Sequence, residues 1–341
     1  MTRAYRVLLL PGDGIGLEVI PCARRVLEAV SEGAPFELHF EEGEIGLGAY
    51  QKCGNALPPE TLKKIEGAQA VLMGAISAAE LPQGVPNPIT GLRRLLDLYA
   101  NVRPIKHYPG LPQGSREADL VVVRENTEGM YSGIEFRVKE NAAFALRVIT
   151  REGSERIARF AFELAGKRRR KVTLIHKASV FRQSCGLFLD VCQEVARGYP
   201  EVELNDMLVD LAAMQLIKNP LQFDVLLATN LFGDILADEA SQLVGGLGMV
   251  PGANLGDRGA IFEPCHGSAP KYAGKNVANP AAAILSGKLM LDHLGEEEAG
   301  ARVEKAVAGV IEEGREVTFD LGGSATTTEM TEAVLRKLRE G

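Results

Sequence analysis

Short, nearly uninterrupted apolar runs recur along this chain between segments of helical periodicity: Arg6-Val-Leu-Leu-Leu, Ala70-Val-Leu-Met, Asp119-Leu-Val-Val-Val, Val172-Thr-Leu-Ile-His and Phe223-Asp-Val-Leu-Leu-Ala. A strand that is apolar on both faces must be covered on both faces, and this is the condition of a strand in an α/β sheet flanked by helices. The alternation therefore predicts an α/β protein. Helical patterns are clearest at 17–31, 59–67, 154–166, 183–198, 233–243, 280–294 and 297–313, with Ser154 as a cap ahead of an apolar stretch. Segment 132–150 departs from the alternation. Its parts Gly133-Ile-Glu-Phe-Arg-Val and Ala145-Leu-Arg-Val-Ile-Thr read as a two-stranded excursion. A lone ribbon is marginal in water, so pairing with a second chain is expected. The Gly- and Pro-bearing stretch 244–257 reads as a return crossing between domains.

With 341 residues, 46% hydrophobic and 24% charged, the chain is long enough for two domains or one large α/β domain. A formal net charge of −7 argues against broad nucleic-acid binding, because phosphate contacts need surplus clustered Lys and Arg. The one basic run, Lys167-Arg-Arg-Arg-Lys171, reads as a solvated helix end. No apolar run approaches membrane-spanning length and the opening strand-like segment is too short for a signal peptide, so no membrane partner and a cytoplasmic location are expected. Cys22, Cys53, Cys185, Cys192 and Cys265 lack Cys-x-x-Cys spacing and read as free thiols.

Asp234 and Asp238 in Asn230-Leu-Phe-Gly-Asp-Ile-Leu-Ala-Asp fall on one helix face, with Asp210 as a third acid upstream. Like charges at this spacing repel, so the pair is either two solvated helix acids or part of a site for a hard divalent cation. The first loop, Pro11-Gly-Asp-Gly-Ile-Gly16, follows a strand and precedes a helix, but Leu17 stands where the dinucleotide fingerprint needs glycine. A tight structural turn and a ligand loop both remain open. Arg93, Arg103 and Arg124 are each ordinary surface partners taken singly; converging, their forks would suit a polycarboxylate. Lys177 at the mouth of a buried strand, beside cationic neighbours, is a candidate general base, whereas His176 has no evident partner and reads as structural.

The chain resembles, from end to end, the β-decarboxylating dehydrogenases, which include isocitrate, homoisocitrate and 3-isopropylmalate dehydrogenases. The residues that carry the resemblance are Gly12-Asp-Gly-Ile-Gly, Leu92-Arg with Leu98-Tyr-Ala-Asn-Val-Arg-Pro, Arg124-Glu-Asn-Thr-Glu-Gly-Met-Tyr, His176-Lys-Ala, Asn230-Leu-Phe-Gly-Asp-Ile-Leu-Ala-Asp and Glu263-Pro-Cys-His-Gly-Ser-Ala-Pro. The resemblance implies a two-domain isopropylmalate/isocitrate dehydrogenase-like fold, three-layer α/β/α and not a standard Rossmann domain. Residues 1–98 plus 250–341 would form a discontinuous cofactor-binding large domain, and 99–249 a small domain with the metal ligands, the dimer interface and a β-arm at about 132–150. It further implies a homodimer or dimer of dimers with shared active sites. Arg93, Arg103 and Arg124 would clamp the malate carboxylates. Asp234 and Asp238, with Asp210 of the other subunit, would hold Mg²⁺ or Mn²⁺. Lys177, also from the other subunit, would assist removal of the hydroxyl proton, and Tyr131 would protonate the enol.

The cofactor residues implied are Ile15, Glu263, His266, Gly267, Ser268, Ala269, Lys271, Tyr272 and Asn279. NAD-using relatives resemble one another in an Asp and a small aliphatic where this chain has Lys271 and Tyr272. A cation and a phenol suit a 2′-phosphate, so NADP is favoured, with NAD use possible because Thr318-Phe-Asp-Leu-Gly-Gly-Ser-Ala resembles the shorter NAD-using relatives. Asn87 and Ile89 occupy the positions that read the C3 substituent, where isocitrate enzymes resemble one another in Ser and Asn. Homoisocitrate leads, as a hydroxy tricarboxylate. Its three charges and three aspartates balance three arginines, one lysine and a divalent cation. The alternatives are 3-isopropylmalate, which an apolar Ile89 would suit, and isocitrate. A non-catalytic regulatory subunit is disfavoured because every catalytic residue expected from the resemblance is present.

Overall fold

The computed structural model describes residues 2–340. Its strands are β1 (Arg3–Leu10), β2 (Phe36–Glu42), β3 (Ala70–Met73), β4 (Ala100–Lys106), β5 (Asp119–Glu125), β6 (Glu135–Val138), β7 (Ala142–Ala145), β8 (Lys171–His176), β9 (Glu203–Leu208), β10 (Val225–Ala228), β11 (Pro251–Gly256) and β12 (Gly259–Pro264). Its helices are α1 (Gly16–Ser31), α2 (Leu47–Cys53), α3 (Pro59–Gly67), α4 (Pro88–Leu95), α5 (Arg151–Gly166), α6 (Ser184–Ala196), α7 (Val209–Lys218), α8 (Asn230–Ser241), α9 (Ala281–His293), α10 (Glu297–Glu313) and α11 (Thr327–Glu340). Ten strands make one mixed sheet in the order β2-β1-β3-β12-β11-β4-β5-β10-β8-β9, and β6 pairs only with β7. The two flanks of the sheet are parallel, whereas the middle pairs β12/β11, β11/β4 and β4/β5 are antiparallel.

Alternation along the strands sends odd and even residues to opposite faces. Val7, Leu9, Leu72, Val121, Val123, Leu174 and Leu227 pack on one face under α1, α5, α6, α9, α10 and α11. The other face carries two separate apolar clusters. Leu8, Leu10, Val71, Met73 and Ile261 lie with α3 and α4, while Leu120, Val122, Ile175, Leu226 and Ala228 lie with α7 and α8. Between them the same strand parity places Asn101 and Arg103 on β4, Arg124 on β5, Asn254 on β11 and Glu263 on β12. The three layers are thus interrupted, on one face only, by a polar seam at the middle of the sheet.

Several sequence expectations need revision. Ser154 is not the cap of α5: the helix starts at Arg151, Thr150 accepts from the Gly153 N–H at 3.0 Å, and Ser154 Oγ donates to the Thr150 carbonyl. Helix α8 begins at Asn230, ahead of the expected residue 233. The ribbon exists, but its second strand is Ala142–Ala145, earlier than the apolar run suggested. The 244–257 stretch, expected as a return crossing, contains β11, which enters the centre of the sheet beside β4 and so leaves that expectation standing. The basic run follows the end of α5 with Lys167, Arg169 and Arg170 exposed, as expected of a solvated helix end, but Arg168 binds Asp224 and Asp119 at 2.8 Å each and Lys171 pairs with Glu203. Helices α2, α4, α7 and α11 were not anticipated. Among the described residues, no helix is long and apolar enough to cross a membrane.

Candidate active site

The seam is built on β4, β5 and α8. Arg124, at the end of β5 and 1% exposed, gives its Nε and Nη2 to Asn230 Oδ1 at 3.1 and 2.5 Å and its Nη1 to Asp234. Arg103 on β4 bridges the two helix acids, with Nη1 2.9 Å from Asp238 and Nη2 3.3 Å from Asp234. Helix α8 reaches this close because residue 233 is glycine: a Cβ there would lie 2.7 Å from the Cβ of Arg124. Tyr131, in the turn Met130–Ser132, donates its hydroxyl to Asp234 Oδ2 at 2.8 Å, and its ring lies 5.0 Å from the Arg124 guanidinium carbon. Within the chain the charge of the aspartate pair is therefore compensated by two arginines.

The electrostatics of the two acids diverge. Burial would raise Asp234, but Arg124, Arg103 and the Tyr131 hydroxyl hold it below the usual carboxylate range. For Asp238, burial and the neighbouring Asp234 charge outweigh Arg103 and hold it above that range. Burial and the Asp234 carboxylate push Tyr131 up. Arg124 is lowered to about 10 by burial and by Arg93 and Arg103, against the pull of Asp234. The three arginines thus sit close enough to feel one another, an arrangement that binds anions.

Arg93 on α4 meets Glu263 at 3.3 Å, and Glu263 also accepts from Asn254 Nδ2 at 2.8 Å. Asn101 and Asn126 both donate to Asn254 Oδ1 at 3.0 Å. Five buried polar atoms along this seam, Arg93 Nε, Arg103 Nε, Asn101 Oδ1, Asn126 Oδ1 and Asn230 Nδ2, have no protein partner. Asn87 caps α4 by accepting from the Ile89 N–H at 2.9 Å, and Ile89 packs against the apolar cluster under that helix.

Lys177 and Asp210 lie apart from this group. Lys177 Nζ donates to Asp210, which the lysine holds below its ordinary range. The neighbour of Lys177 is thus an acid, not the cations expected. Neither residue bonds to Tyr131, Asp234 or Asp238, and the described residues of one chain contain no cluster of three His, Cys, Asp or Glu suited to a metal. His176 is buried, and its Nε2 meets Asp206 at 2.9 Å while its Nδ1 accepts from the Ala178 N–H, which fits a structural role. Arg147, at the base of the ribbon, was missed: it donates to Thr229 Oγ1 at 2.9 Å and to Cys185 Sγ at 3.2 Å between Phe181 and Phe232. Asn230 opens the Asn230-Leu-Phe-Gly-Asp segment, and nothing in its spacing marks Arg124 as its partner.

The first loop is a tight turn packed on the 266–269 segment, and it also lines a cleft with Leu17, Ser77 and Pro270. Gly14 has φ +57, and a Cβ there would lie 2.0 Å from the Ser268 carbonyl oxygen, which accepts the Ile15 N–H at 2.9 Å. Asp13 takes the N–H groups of Leu47, Gly48 and Ser77 at 2.9 Å each. Ser268 Oγ accepts from Ser77 at 2.8 Å, so the 266–269 segment is pinned against this turn. His266 Nδ1 lies 3.0 Å from the Gly267 carbonyl, its Nε2 has no partner, and burial lowers its pKa. Further along, Lys271 Nζ lies 5.2 Å from the Tyr272 ring centre, and Tyr272 packs 5.2 Å from the half-exposed Phe319. Asn279 Nδ2 donates to Asp320 at 3.0 Å.

The family model for isocitrate/isopropylmalate dehydrogenase matches residues 6–334. The isocitrate/homoisocitrate dehydrogenase of Thermus thermophilus is 52% identical over 98% of this chain and 99% of that protein. A 3-isopropylmalate dehydrogenase of Archaeoglobus fulgidus is 49% identical over 96% and 98% of the two chains, and a homoisocitrate dehydrogenase of Methanocaldococcus jannaschii 47% identical over 98% of each. The crystal structure of isocitrate dehydrogenase from Methylococcus capsulatus superposes with a TM-score of 0.92 at 43% identity, covering 98% of this chain and 99% of that one. A polar seam at the middle of the sheet, together with matches along nearly the whole length, leads to one assignment: the chain belongs to the isocitrate/isopropylmalate dehydrogenase family.

Proposed function

We propose that the protein catalyses the metal-dependent oxidative decarboxylation of a 3-substituted malate with a nicotinamide cofactor, homoisocitrate and NADP being the preferred pair. The observation that carries this reading is the convergence of Arg93, Arg103 and Arg124 with Asp234, Asp238 and Glu263 in one polar seam at the middle of the sheet. The donor set fits a hard cation: two carboxylates one helical turn apart are already bridged by a positive group, the Arg103 fork. Asp234 and Asp238 would hold Mg²⁺ or Mn²⁺, with Asp210 contributed by a second subunit. When bound, the metal supplies Lewis-acid charge and the nicotinamide accepts hydride. The protein's own groups do the rest. Arg93, Arg103 and Arg124 hold carboxylates, Lys177 takes the hydroxyl proton as the neutral amine, its own proton having left through Asp210, and the Tyr131 hydroxyl returns a proton to carbon after CO₂ departs.

Sharing of the site between subunits is supported by the apolar groups left uncovered in one chain. Phe136 and Phe144 of the ribbon, Met214 of α7 and Ile235 of α8 are about half-exposed or more. We assign residues 1–98 plus 250–341 to a cofactor-binding domain and 99–249 to a second domain, so that β4 and β11 meet across their boundary. Lys271 beside Tyr272, with no carboxylate in that segment, supports a 2′-phosphate partner. A second substrate reading, 3-isopropylmalate, is favoured by Ile89 lying against an apolar cluster. Steady-state kinetics with homoisocitrate, isocitrate and 3-isopropylmalate, each with NADP and NAD, tests these readings. The highest kcat/KM should belong to homoisocitrate with NADP, and turnover with none of the acids would overturn the proposed function.

A further inference from the structure

We infer that Arg94 is a positioning residue for Tyr131, gripping the main chain of the turn that carries the tyrosine so that the phenol is presented in the seam. This rests on the reading of Tyr131 as the proton donor. Arg94 Nη2 donates to the carbonyl oxygens of Tyr131 and Ser132 at 2.9 and 2.5 Å. The guanidinium lies against Gly133, the next residue, which has φ +72 and where a Cβ would lie 2.9 Å from Arg94 Nη2. At the other end of the residue the phenol is fixed by Asp234 and lies over Arg124. Tyr131 is therefore held at both ends, its hydroxyl by β5 and α8 and its backbone by α4.

The neighbours on α4 give this grip a functional meaning. Arg93 turns toward Glu263 in the seam, while Arg94 turns toward the catalytic turn. Asn87 and Ile89, one helix turn earlier, are the residues assigned to the C3 substituent. One short helix thus carries substrate-reading groups at its start and the grip on the proton donor at its end. The turn is also tied to the ribbon, because Ser132 Oγ donates to the Leu146 carbonyl at 2.9 Å. Without Arg94 the backbone of the turn would be tied on the ribbon side alone and the residue held otherwise only through its phenol, so the ring would stray from the carbon it protonates.

The test is a double-mutant cycle on the holoenzyme with Arg94→Met, Tyr131→Phe and the pair, with Arg94→Lys as the conservative variant. Arg94→Met should lower kcat by roughly 10- to 100-fold, the scale of a misplacement near 1 Å, with KM for the hydroxy acid nearly unchanged. Its solvent deuterium isotope effect on kcat should rise, Arg94→Lys should recover part of the loss, and the double variant should be no slower than Tyr131→Phe. Multiplicative losses in the double variant, or a change confined to KM, would overturn the inference. Wild-type kcat in Tyr131→Phe would instead remove the proton-donor reading on which it stands. Should Arg94→Met fail to fold, the same cycle run with Arg94→Lys decides.

Discussion

Asp234→Asn should destabilise the metal-free protein much more than Asp238→Asn, although the two carboxylates sit one helical turn apart. Asp234, with its side chain 27% exposed, is the partner of Arg124 at 1% and of Arg103 at 10%. Breaking a buried pair from one side costs about 3–5 kcal/mol, because an uncompensated charge stays behind. Here Arg124 keeps two bonds to Asn230 and an asparagine still offers an acceptor, so about 2–3 kcal/mol is expected. Asp238 is 55% exposed and meets only Arg103, which places its pair near the surface value of about 0–1 kcal/mol. The pH dependences differ in sign. With its folded pKa depressed, Asp234 stabilises fully above its unfolded value of about 4 and loses that contribution as pH falls through the folded value. Asp238, with its folded pKa raised, carries a penalty at neutral pH that is relieved as pH falls through its folded value. Urea unfolding in chelator, at fixed protein concentration and across acid pH, measures both. Asp234→Asn should lower stability at pH 7 and flatten the acid limb. Equal costs for the two variants, or a cost for Asp234→Asn below about 1 kcal/mol, would refute the argument.

Chelation, or Asp234→Asn, should cut turnover by at least about a hundredfold, and Mn²⁺ should raise the Tm of the chelated wild-type protein but not of that variant. Full turnover in EDTA would remove these aspartates from the metal site. Replacing Lys271 with Asp and Tyr272 with Ile should move preference from NADP toward NAD, chiefly through KM; equal kinetics with both nucleotides in the wild-type enzyme would contradict the assignment. Mixing Lys177→Ala chains with Tyr131→Phe chains, each strongly impaired by itself, should raise activity well above that of either, because one site in each mixed dimer then receives both intact groups. No recovery in verified mixed dimers would mean that both residues serve one site from one chain.

By itself the sequence determined the elements whose signal is local. Buried strands announce themselves as apolar runs because both faces are covered, so β1, β3, β5, β8 and β10 were legible, as was the ribbon as an isolated two-stranded unit. The candidate site residues Arg93, Arg103, Arg124, Tyr131, Asp234 and Asp238 were legible only through the resemblance, because they stand in contiguous motif segments that can be matched without a fold. Partnership was a different matter. That Asn230 would anchor Arg124, 106 residues away, or that Arg94 would reach the Tyr131 carbonyl, depends on which strand ends and helices the sheet brings together. Strand parity decided it: the periodicity that buries Leu120 and Val122 turns Arg124 into the seam, and only the sheet order sets Arg103, Asn254 and Glu263 beside it. The sequence likewise left the aspartate pair open between solvated acids and a cation site, and only tertiary structure set Arg103 and Arg124 against it, since charges distant along the chain interact once folding has brought them within a few ångströms in a poorly solvated space.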